Sequence, residues 1–387
     1  MSSIPSVDLT KLANDIKAWG KALGFQQVGI SDLDISRHKV ALTRWLENGY
    51  QGQMAFFEKN LEQRLNPDRL VAGTLRIISV RMDYLPEDAM FAQSLEDPNK
   101  AYISRYALGR DYHKLMRKRL KKLAQQIAEV YQDLEYRPFV DSAPVLEHAY
   151  AEKSGIGWTG KHSLTLHKSS GSWFFLGELF INVPLPIDTP IEDGCGSCTA
   201  CLSICPTNAI VAPYTVNANK CISYLTIEHE GVIPVEYRQA MGNRIYGCDD
   251  CQLVCPWNKQ AEPTQEEAFN DRLGLKNADL LELFAWSEDA FLHKFEGSPI
   301  RRIGYQKWKR NISVALGNAP YSETIINALS ESIKDMSHSE VLVEHFSWAL
   351  SMQLEKKALI SNAKPSVTNR QQSRLVRIVK KGLPRDA

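Results

Sequence analysis

The sequence predicts an α+β protein, and three observations lead to that prediction. Helix-period and strand-period apolar patterns alternate over residues 1–185. All eight cysteines then fall between residues 195 and 255. Apolar stripes of helical period follow and continue to about residue 350. The chain is therefore divided into a mixed domain at 1–185, a cysteine-rich module at 186–262, a helical region at 275–360 and a basic, disordered tail at 361–387.

The mixed domain is predicted element by element from apolar spacing and from glycine. Leu9, Leu12 and Ile16 recur at steps of three and four, which is one face of a helix. Gly49 and Gly155 mark the ends of two further helices. In chain order we expect a helix at 9–23, a strand at 28–30, a helix at 37–48, a strand at 75–82, a helix at 111–134, a strand at 137–141, a helix at 145–154, and a hairpin with strands at 163–167 and 172–182.

The boundaries of the later parts rest on composition. Residues 183–194 hold three prolines and are predicted to be a linker. The polar stretch 262–270 separates the cysteine-rich module from the helical region. That region repeats short amphipathic stripes, which is typical of one or two stacked HEAT-type units.

Overall composition narrows the class of protein. The charges nearly cancel, with 46 Lys and Arg against 45 Asp and Glu, so net charge does not predict a nucleic-acid partner. The first twenty residues show neither a secretory signal nor a twin arginine. No segment approaches the ~18 uninterrupted apolar residues of a membrane span. We therefore expect a cytoplasmic protein with no membrane partner, in a compartment where thiols stay reduced.

The cysteines carry the strongest signal. Cys195, Cys198, Cys201 and Cys205 stand at C-x2-C-x2-C-x3-C spacing, followed by Pro206. This is the spacing of bacterial ferredoxins, whose cysteines bind [4Fe–4S] clusters. Zinc sites usually use two C-x2-C pairs, and disulfides need an oxidising compartment, so both alternatives are weaker.

A second run predicts a second cluster. Cys248, Cys251 and Cys255 repeat the pattern one cysteine short, and Cys221 is available as the missing ligand. In two-cluster ferredoxins the last cysteine of each run binds the other cluster, because it points away from the loop that wraps its own. We therefore assign Cys195, Cys198, Cys201 and Cys255 to one cluster, and Cys205, Cys221, Cys248 and Cys251 to the other.

Two segments of the mixed domain are candidates for a site. Residues 103–113 are rich in arginine and aromatic residues, and residues 151–161 contain glycines that would let the backbone approach a bulky or anionic group. A helix end followed by a tight turn is the simpler interpretation of the second segment. Asp111 and His113 begin a D-x-H-x-x-G cobalamin motif, but Met116 replaces its glycine, which disfavours His113 as a cobalt ligand.

Taken in order, these segments resemble the epoxyqueuosine reductase family over essentially the whole chain. The resemblance rests on residues 106–113, 139–141, 152–161 and 171–173, on both cysteine runs, and on residues 304–311 and 344–350. It implies an oxidoreductase that removes the epoxide oxygen from epoxyqueuosine at the wobble position of tRNA. Two [4Fe–4S] clusters and cobalamin are the implied cofactors. The mixed domain would resemble the cobalamin-binding core of reductive dehalogenases, with no protein ligand beneath the cobalt.

The resemblance also implies roles for individual residues. Asp141, at a predicted strand end, matches the proton donor, provided that burial raises its pKa. Without the resemblance, Asp141 would be interpreted as a turn or cap carboxylate ahead of Pro144. The implied cofactor contacts are Arg64, Tyr106, Ser154, Gly155, Gly157, Trp158, Gly160, Lys161, Gly171, Ser172, Cys248 and Asp249.

Contacts with tRNA are predicted separately, from basic clusters. One cluster comprises Arg301, Arg302, Lys307, Lys309 and Arg310, and the other comprises Arg370, Arg374, Arg377, Lys380 and Lys381. Such clusters suit phosphate contacts, although an ordinary solvated helix face would look the same. Trp158 and Tyr106 are candidates to stack on a flipped base. We expect a monomer that takes a tRNA anticodon stem-loop and an external low-potential electron donor as partners.

Two other functions fit parts of the sequence. One is a cobalamin-dependent reductase of a small molecule, similar to a reductive dehalogenase, which would have no need of a basic helical region. The other is an electron carrier or tRNA-binding module without catalysis, against which the long N-terminal domain with Asp141 argues.

Overall fold

The computed structural model describes residues 7–335, 339–361 and 370–382. The helices are α1 Leu9–Ala22, α2 Ser36–Glu47, α3 Phe56–Lys59, α4 Leu61–Leu65, α5 Pro67–Leu70, α6 Phe91–Glu96, α7 Tyr112–Val130, α8 Glu147–Lys153, α9 Ala200–Ile204, α10 Ile222–Ile227, α11 Val235–Met241, α12 Asp250–Leu253, α13 Leu280–Phe284, α14 Glu288–Lys294, α15 Gly304–Asn318, α16 Glu323–Lys334, α17 Glu340–Ser361 and α18 Arg370–Gly382. The strands are β1 Gln27–Ser31, β2 Arg76–Asp83, β3 Tyr102–Ile103, β4 Tyr136–Phe139, β5 Trp158–Thr159, β6 Thr165–Leu166, β7 Phe174–Ile181, β8 Ile210–Ala212, β9 Thr215–Val216 and β10 Arg244–Tyr246.

The chain forms two compact units and passes between them several times. The first unit contains the residues up to Leu85, then Asp111–Cys198 and Gln260–Glu266. The second contains Pro86–Arg110, Thr199–Lys259 and the chain from Glu267 onward. No helix within the described ranges is long and apolar enough to cross a membrane.

The first unit is organised by a four-stranded sheet in the order β1-β2-β7-β4. All three pairings are antiparallel, and β7 is hydrogen-bonded to β2 on one side and to β4 on the other. All eight residues of β7 are buried, which its sequence FFLGELFI anticipates except for the glutamate. The sheet is thus an antiparallel sheet, as expected for an α+β protein.

Helices cover both faces of this sheet. On one face, Ile77, Phe139 and Phe180 form a buried cluster with Ala149 and Tyr150 of α8. On the other face, a side chain at Gly177 would meet Met116 and Leu120 of α7 at 3.2 Å, so α7 packs directly on β7. Helices α7 and α8 thus hold the sheet from both faces, and the loop that contains Asp141 follows directly after β4 of this sheet.

Two sequence predictions in this unit are wrong. Residues 163–167 and 172–182 do not form a hairpin: β6 pairs with β5, whereas β7 pairs with β2 and β4. Only a single bridge, between His167 and Gly171, joins the two predicted strands. The predicted helix at 111–134 ends at Val130, because the chain must turn there to enter β4.

Residues 86–110 belong to the second unit, although the sequence predicts them to be part of the N-terminal domain. β3 pairs in parallel with β10, and the side chain of Asn243 donates to the backbone carbonyls of Ser94 and Lys100. The buried Arg105 guanidinium donates to the carbonyls of Ala89 and Ile103. A two-residue strand leaves little trace in the sequence, so the predicted 1–185 boundary missed this excursion.

The predicted helical region is confirmed, and α17 packs against both α15 and α16. Gly317 allows a close approach, since a side chain there would meet the Trp348 ring at 2.5 Å. The prediction of a disordered tail is wrong for residues 370–382, which form α18, while residues 362–369 and 383–387 lie outside the described residues. Leu375, Val376 and Val379 bury one face of α18, although the rest of the helix is polar enough to suggest disorder.

Part of the first basic cluster is structural. Arg310 is 1% exposed and donates hydrogen bonds to the carbonyls of Leu225, His229 and Gly231. Lys309 is also buried, and it donates to the carbonyl of Phe284. The prediction that these two residues face RNA is wrong, because their charges are used to satisfy backbone carbonyls inside the second unit.

The role of Arg310 can be tested by stability measurements. Arg310→Ala removes the donors of one buried and two partly buried carbonyls, and we expect the free energy of unfolding to fall by about 3 kcal/mol. The exposed Arg301 is the matched control, and Arg301→Ala should change stability by less than about 0.5 kcal/mol. Urea titration of both variants compares the two losses; equal losses would contradict the structural role of Arg310.

Candidate functional site

The second unit brings cysteines from distant parts of the sequence together. Burial raises the pKa of the Cys251 thiol well above its usual range, and the nearby thiols of Cys221, Cys205 and Cys201 raise it further. The pKa of Cys248 is raised in the same way, by burial and by Cys251 among its neighbours. Four sulfurs that interact this strongly would be costly as free thiolates, and cluster iron would remove that cost. The group contains Cys205, Cys221, Cys248 and Cys251, but Cys201 lies beside them, so the division of the cysteines between two clusters stays a prediction.

The other cysteine loop is held by the predicted cofactor loop of the first unit. The Lys161 ammonium donates to the carbonyls of Gly196 and Cys198, at 2.6 and 2.9 Å. Burial raises the pKa of Cys195, and the nearby Trp158 side chain and Lys161 backbone oppose this by favouring the thiolate. These two residues therefore support a cluster-binding loop, a role that the sequence did not predict for them.

The glycines of this loop have packing reasons. A side chain at Gly157 would lie 2.2 Å from the carbonyl oxygen of Leu166, so β6 excludes any other residue there. Gly155 has a φ of +71°, which favours glycine at the end of α8. The simpler interpretation, a helix end followed by a tight turn, therefore describes this part of the loop.

Asp141 lies in a strained turn directly after β4. Its φ is +57°, a left-handed conformation that aspartate tolerates better than most side chains. Its carboxylate accepts hydrogen bonds from the Tyr112 hydroxyl at 2.6 Å and from the His113 ring at 3.2 Å. The side chain is 57% exposed, so the burial that was expected to raise the pKa of Asp141 is absent.

His113 is fixed between two carboxylates. Asp111 caps α7 through the His113 N–H and also contacts the Nδ1 atom of the ring at 2.6 Å. Burial opposes a charged ring, but the hydrogen bonds to Asp111 and Asp141 outweigh it and raise the pKa of His113 to about 9. The ring is therefore a cation at neutral pH, and it holds a proton directly beside Asp141. The Tyr112 ring stacks on the Phe175 ring, with centroids 3.8 Å apart, and this contact holds Tyr112 in place beside Asp141.

Two carboxyls behind the turn were missed by sequence reasoning. Glu147 accepts the Asp141 N–H at 2.6 Å, and burial, followed by the Asp141 charge, raises the pKa of Glu147 to about 7. Glu178 is fully buried in β7 beside Glu147, and burial raises its pKa well above the usual range. A glutamate inside the apolar run FFLGELFI was the available signal for this site.

The remaining predicted contacts divide between the units. Arg64 is buried in the first unit, 3.4 Å from the carbonyl of Val145. Gly171 and the buried Ser172 follow the His167 bridge in the same unit. In the second unit, Tyr106 lies beside Tyr246, and the Asp249 carboxylate is buried. Asp249 accepts from Tyr102, Ser104 and the Arg105 N–H, so its side chain orders the loop around Cys248.

The first unit has features that suit a large cofactor near Asp141. The His148 residue is exposed to solvent, its Nδ1 atom lies 2.7 Å from the Thr165 hydroxyl, and burial lowers the pKa of the ring. The His162 Nε2 atom is buried and has no hydrogen-bond partner within the described ranges. Accessible and unsatisfied polar groups of this kind are consistent with cobalamin held by Arg64, the 154–161 loop, Gly171 and Ser172.

Comparison with known proteins identifies the family. Residues 64–142 match the family model "Epoxyqueuosine reductase QueG, DUF1730", and residues 194–258 match "4Fe-4S double cluster binding domain". The epoxyqueuosine reductase of Aliivibrio fischeri is 57% identical over 98% of this chain and 100% of its own length. The chain belongs to the epoxyqueuosine reductase family. The Escherichia coli epoxyqueuosine reductase is 56% identical over 98% of this chain and 99% of its own.

Solved structures of epoxyqueuosine reductases have the same fold. One, bound to an epoxyqueuosine-modified tRNA-Tyr stem loop, covers 96% of this chain and 100% of its own at 28% identity and a TM-score of 0.82. Another, from Bacillus subtilis, has its aspartate-containing catalytic loop swung out of the active site, and matches with a TM-score of 0.82 at 27% identity over 97% of this chain and 100% of its own. This epoxyqueuosine reductase homologue is thus an oxidoreductase whose cofactors are two [4Fe–4S] clusters and cobalamin.

The cluster assignment predicts a measurable loss of iron. Cys221→Ala should lower the iron content from about eight to about four atoms per chain, although Cys221 lies outside both runs. The second unit should also lose stability, since cluster binding contributes to its folding. Iron analysis and the visible spectrum of anaerobically purified protein measure this. Retention of about eight irons would contradict the assignment of Cys221, and Ser203→Ala serves as a control.

Proposed function

We propose that this chain reduces epoxyqueuosine to queuosine at the wobble position of tRNA. Removal of the epoxide oxygen consumes two electrons and two protons and releases water. The observation that carries the proposal is the Asp141–Tyr112–His113 arrangement, an exposed carboxylate beside a stored proton, in a member of this family. An electron carrier without catalysis would need no such group.

Asp141 is the proposed acid for the departing oxygen. The carboxylate is accessible to substrate, and it accepts hydrogen bonds from Tyr112 and from the His113 cation. As oxygen leaves, the proton that His113 holds at neutral pH passes to it through the Asp141 carboxylate, which leaves the His113 ring neutral. Asp111 keeps the ring of His113 in the orientation that this transfer needs.

Electrons enter through the cysteine-rich module. Cobalamin, held by Arg64, the 154–161 loop, Gly171 and Ser172, would supply low-potential electrons for the reduction when bound. The Lys161 cation at the carbonyls of Gly196 and Cys198 stabilises the added negative charge when the neighbouring cluster is reduced. An external low-potential donor recharges the clusters, and we place the enzyme in the cytoplasm as a monomer.

The tRNA is bound in part by α18. Arg370, Arg374, Arg377 and Lys381 are exposed along one stripe of the helix. Among the described residues none of the four forms an ion pair, whereas Lys380 pairs with Glu96. By contrast, Arg302 pairs with Glu228 and Lys307 with Glu230. The α18 stripe therefore offers unneutralised cations to phosphates, which Arg310 and Lys309 do not.

The acid role predicts a specific defect in Asp141→Asn. Asparagine tolerates the left-handed turn and still accepts from Tyr112, but it cannot transfer a proton. Cobalamin and tRNA binding should persist, while turnover falls by roughly 10²–10⁴. Nucleoside analysis of tRNA after single-turnover reduction measures this, with Asp133→Asn as the control.

Other outcomes for Asp141→Asn reassign the residue. Near-normal turnover would make Asp141 a structural turn residue. Loss of cobalamin binding would make it a cofactor contact, and His113 would then be the first candidate for the proton source.

The α18 stripe predicts a change in salt dependence. Arg374→Glu with Arg377→Glu should weaken tRNA binding and reduce the slope of log K against log salt by about one to two units. Lys21→Glu with Lys39→Glu, two exposed lysines of the first unit, makes the same change in net charge and is the matched control. Equal effects of the two pairs would show that only net charge matters.

A further inference from the structure

Two carboxyls, those of Glu178 and Glu147, lie behind Asp141, and the register of the sheet places the first of them. Glu178 of β7 lies directly opposite Phe139 of β4 and Ser79 of β2. It therefore shares a sheet face with the apolar side chains of Ile77 and Phe180. The residue has no exposed surface, and the Glu147 carboxyl lies close enough to interact with its carboxyl. A buried carboxylate without a cation is unfavourable, so Glu178 retains its proton.

Glu147 connects this buried acid to the catalytic turn. Its Oε1 atom accepts the backbone N–H of Asp141, whose left-handed φ needs support from its surroundings. The Asp141 side chain is 57% exposed, and its carboxylate accepts hydrogen bonds from Tyr112 and His113. The bond to Glu147 is thus a direct restraint on the turn itself.

The charges around the pair determine when this restraint holds. Burial and the charge of Asp141 raise the pKa of Glu147 to about 7, and burial and the Glu147 charge raise that of Glu178 further. The titratable and charged groups that face the pair are Asp141, His113, Arg64 and Tyr150. Both pKa values are raised, so a proton is present at neutral pH and below, and the pair loses it as pH rises through these values.

We propose that Glu147 and Glu178 share a proton and act as a latch that holds the Asp141 turn in place. With the proton present, Glu178 donates to Glu147, and Glu147 accepts the Asp141 N–H. Without it, two adjacent carboxylates repel each other and the turn is released. Glu147 and Glu178 are positioning residues, because they act on the reaction only through Asp141. The catalytic consequence rests on the proposed acid role of Asp141, whereas the latch itself does not.

The latch can be observed by hydrogen exchange in the full-length, cofactor-loaded enzyme. We expect the amides of residues 138–146 to be protected in the wild type at neutral pH and to lose protection as pH rises above about 7, after correction for intrinsic exchange. Glu147→Ala removes the acceptor and should lose protection at every pH. Glu178→Gln donates permanently through its amide, and should keep protection at high pH.

Turnover provides the second measurement. Glu147→Ala should lower kcat about tenfold with little change in the KM for the tRNA stem loop, because the substrate-binding surface is intact. Glu178→Gln should retain wild-type kcat at neutral pH and extend it to higher pH. Glu129→Ala, at an exposed glutamate of α7, is the matched control and should change neither measurement.

The outcomes separate this inference from the proposed function. Wild-type protection of residues 138–146 in Glu147→Ala would overturn the latch, and so would loss of protection in Glu178→Gln in parallel with the wild type. Asp141→Asn keeps the backbone N–H, so its protection should be normal even though turnover is lost. Normal turnover of Asp141→Asn with a pH-dependent latch would instead reject the acid role and keep the latch.

Discussion

The pairing of β7 with β4 is the constraint on which the candidate active site depends. It places Glu178 opposite Phe139, two residues before Asp141, so that the strand end and the buried carboxyl are fixed by the same hydrogen-bond ladder. The same strand carries Phe175, on which Tyr112 stacks. A shift of one residue in this register would turn Glu178 and Phe175 to the opposite faces of the sheet. The acid, the groups that donate to it and the support of its turn all follow from this one pairing.

The second unit uses buried cations in place of apolar side chains at several points. Arg105 and Arg310 lie almost fully buried, and their guanidinium groups donate to backbone carbonyls. Each guanidinium can satisfy several acceptors at once because its five donors are arranged in a rigid plane. Irregular segments around the cysteines can therefore be buried without leaving many of their backbone carbonyls unsatisfied. Basic residues in this unit must be separated into structural and RNA-facing groups by burial, because their sequence spacing is the same.

The first unit separates proton chemistry from support of the cysteine loop. Asp141, His113 and Tyr112 handle protons at the end of β4 and the start of α7. Lys161 and Trp158, at the other end of α8, contact the loop of Cys195. Helix α8 lies between these groups in the sequence, and its packing on β7 holds both of its ends. Rigidity of this helix is therefore relevant to both parts of the reaction.

The sequence by itself determined the cofactor class and most elements. Cysteine spacing is a local property, since three ligands of a cluster come from one short loop, and it could be interpreted without a fold. Apolar periodicity likewise located α1 and α7, whose buried residues recur at steps of three and four. The family resemblance singled out Asp141, but not its exposure or its bond to Glu147.

Only the tertiary structure decided which residues act together. The role of Glu178 depends on strand register, the excursion of residues 86–110 depends on a two-residue strand, and the burial of Arg310 depends on carbonyls more than seventy residues away in sequence. The helix at 370–382 was missed at the level of sequence because only three of its described residues are buried apolar side chains, while most of the others are polar or basic. These are contacts between distant segments, and their energies appear only when the chain is folded, so local patterns could not reveal them.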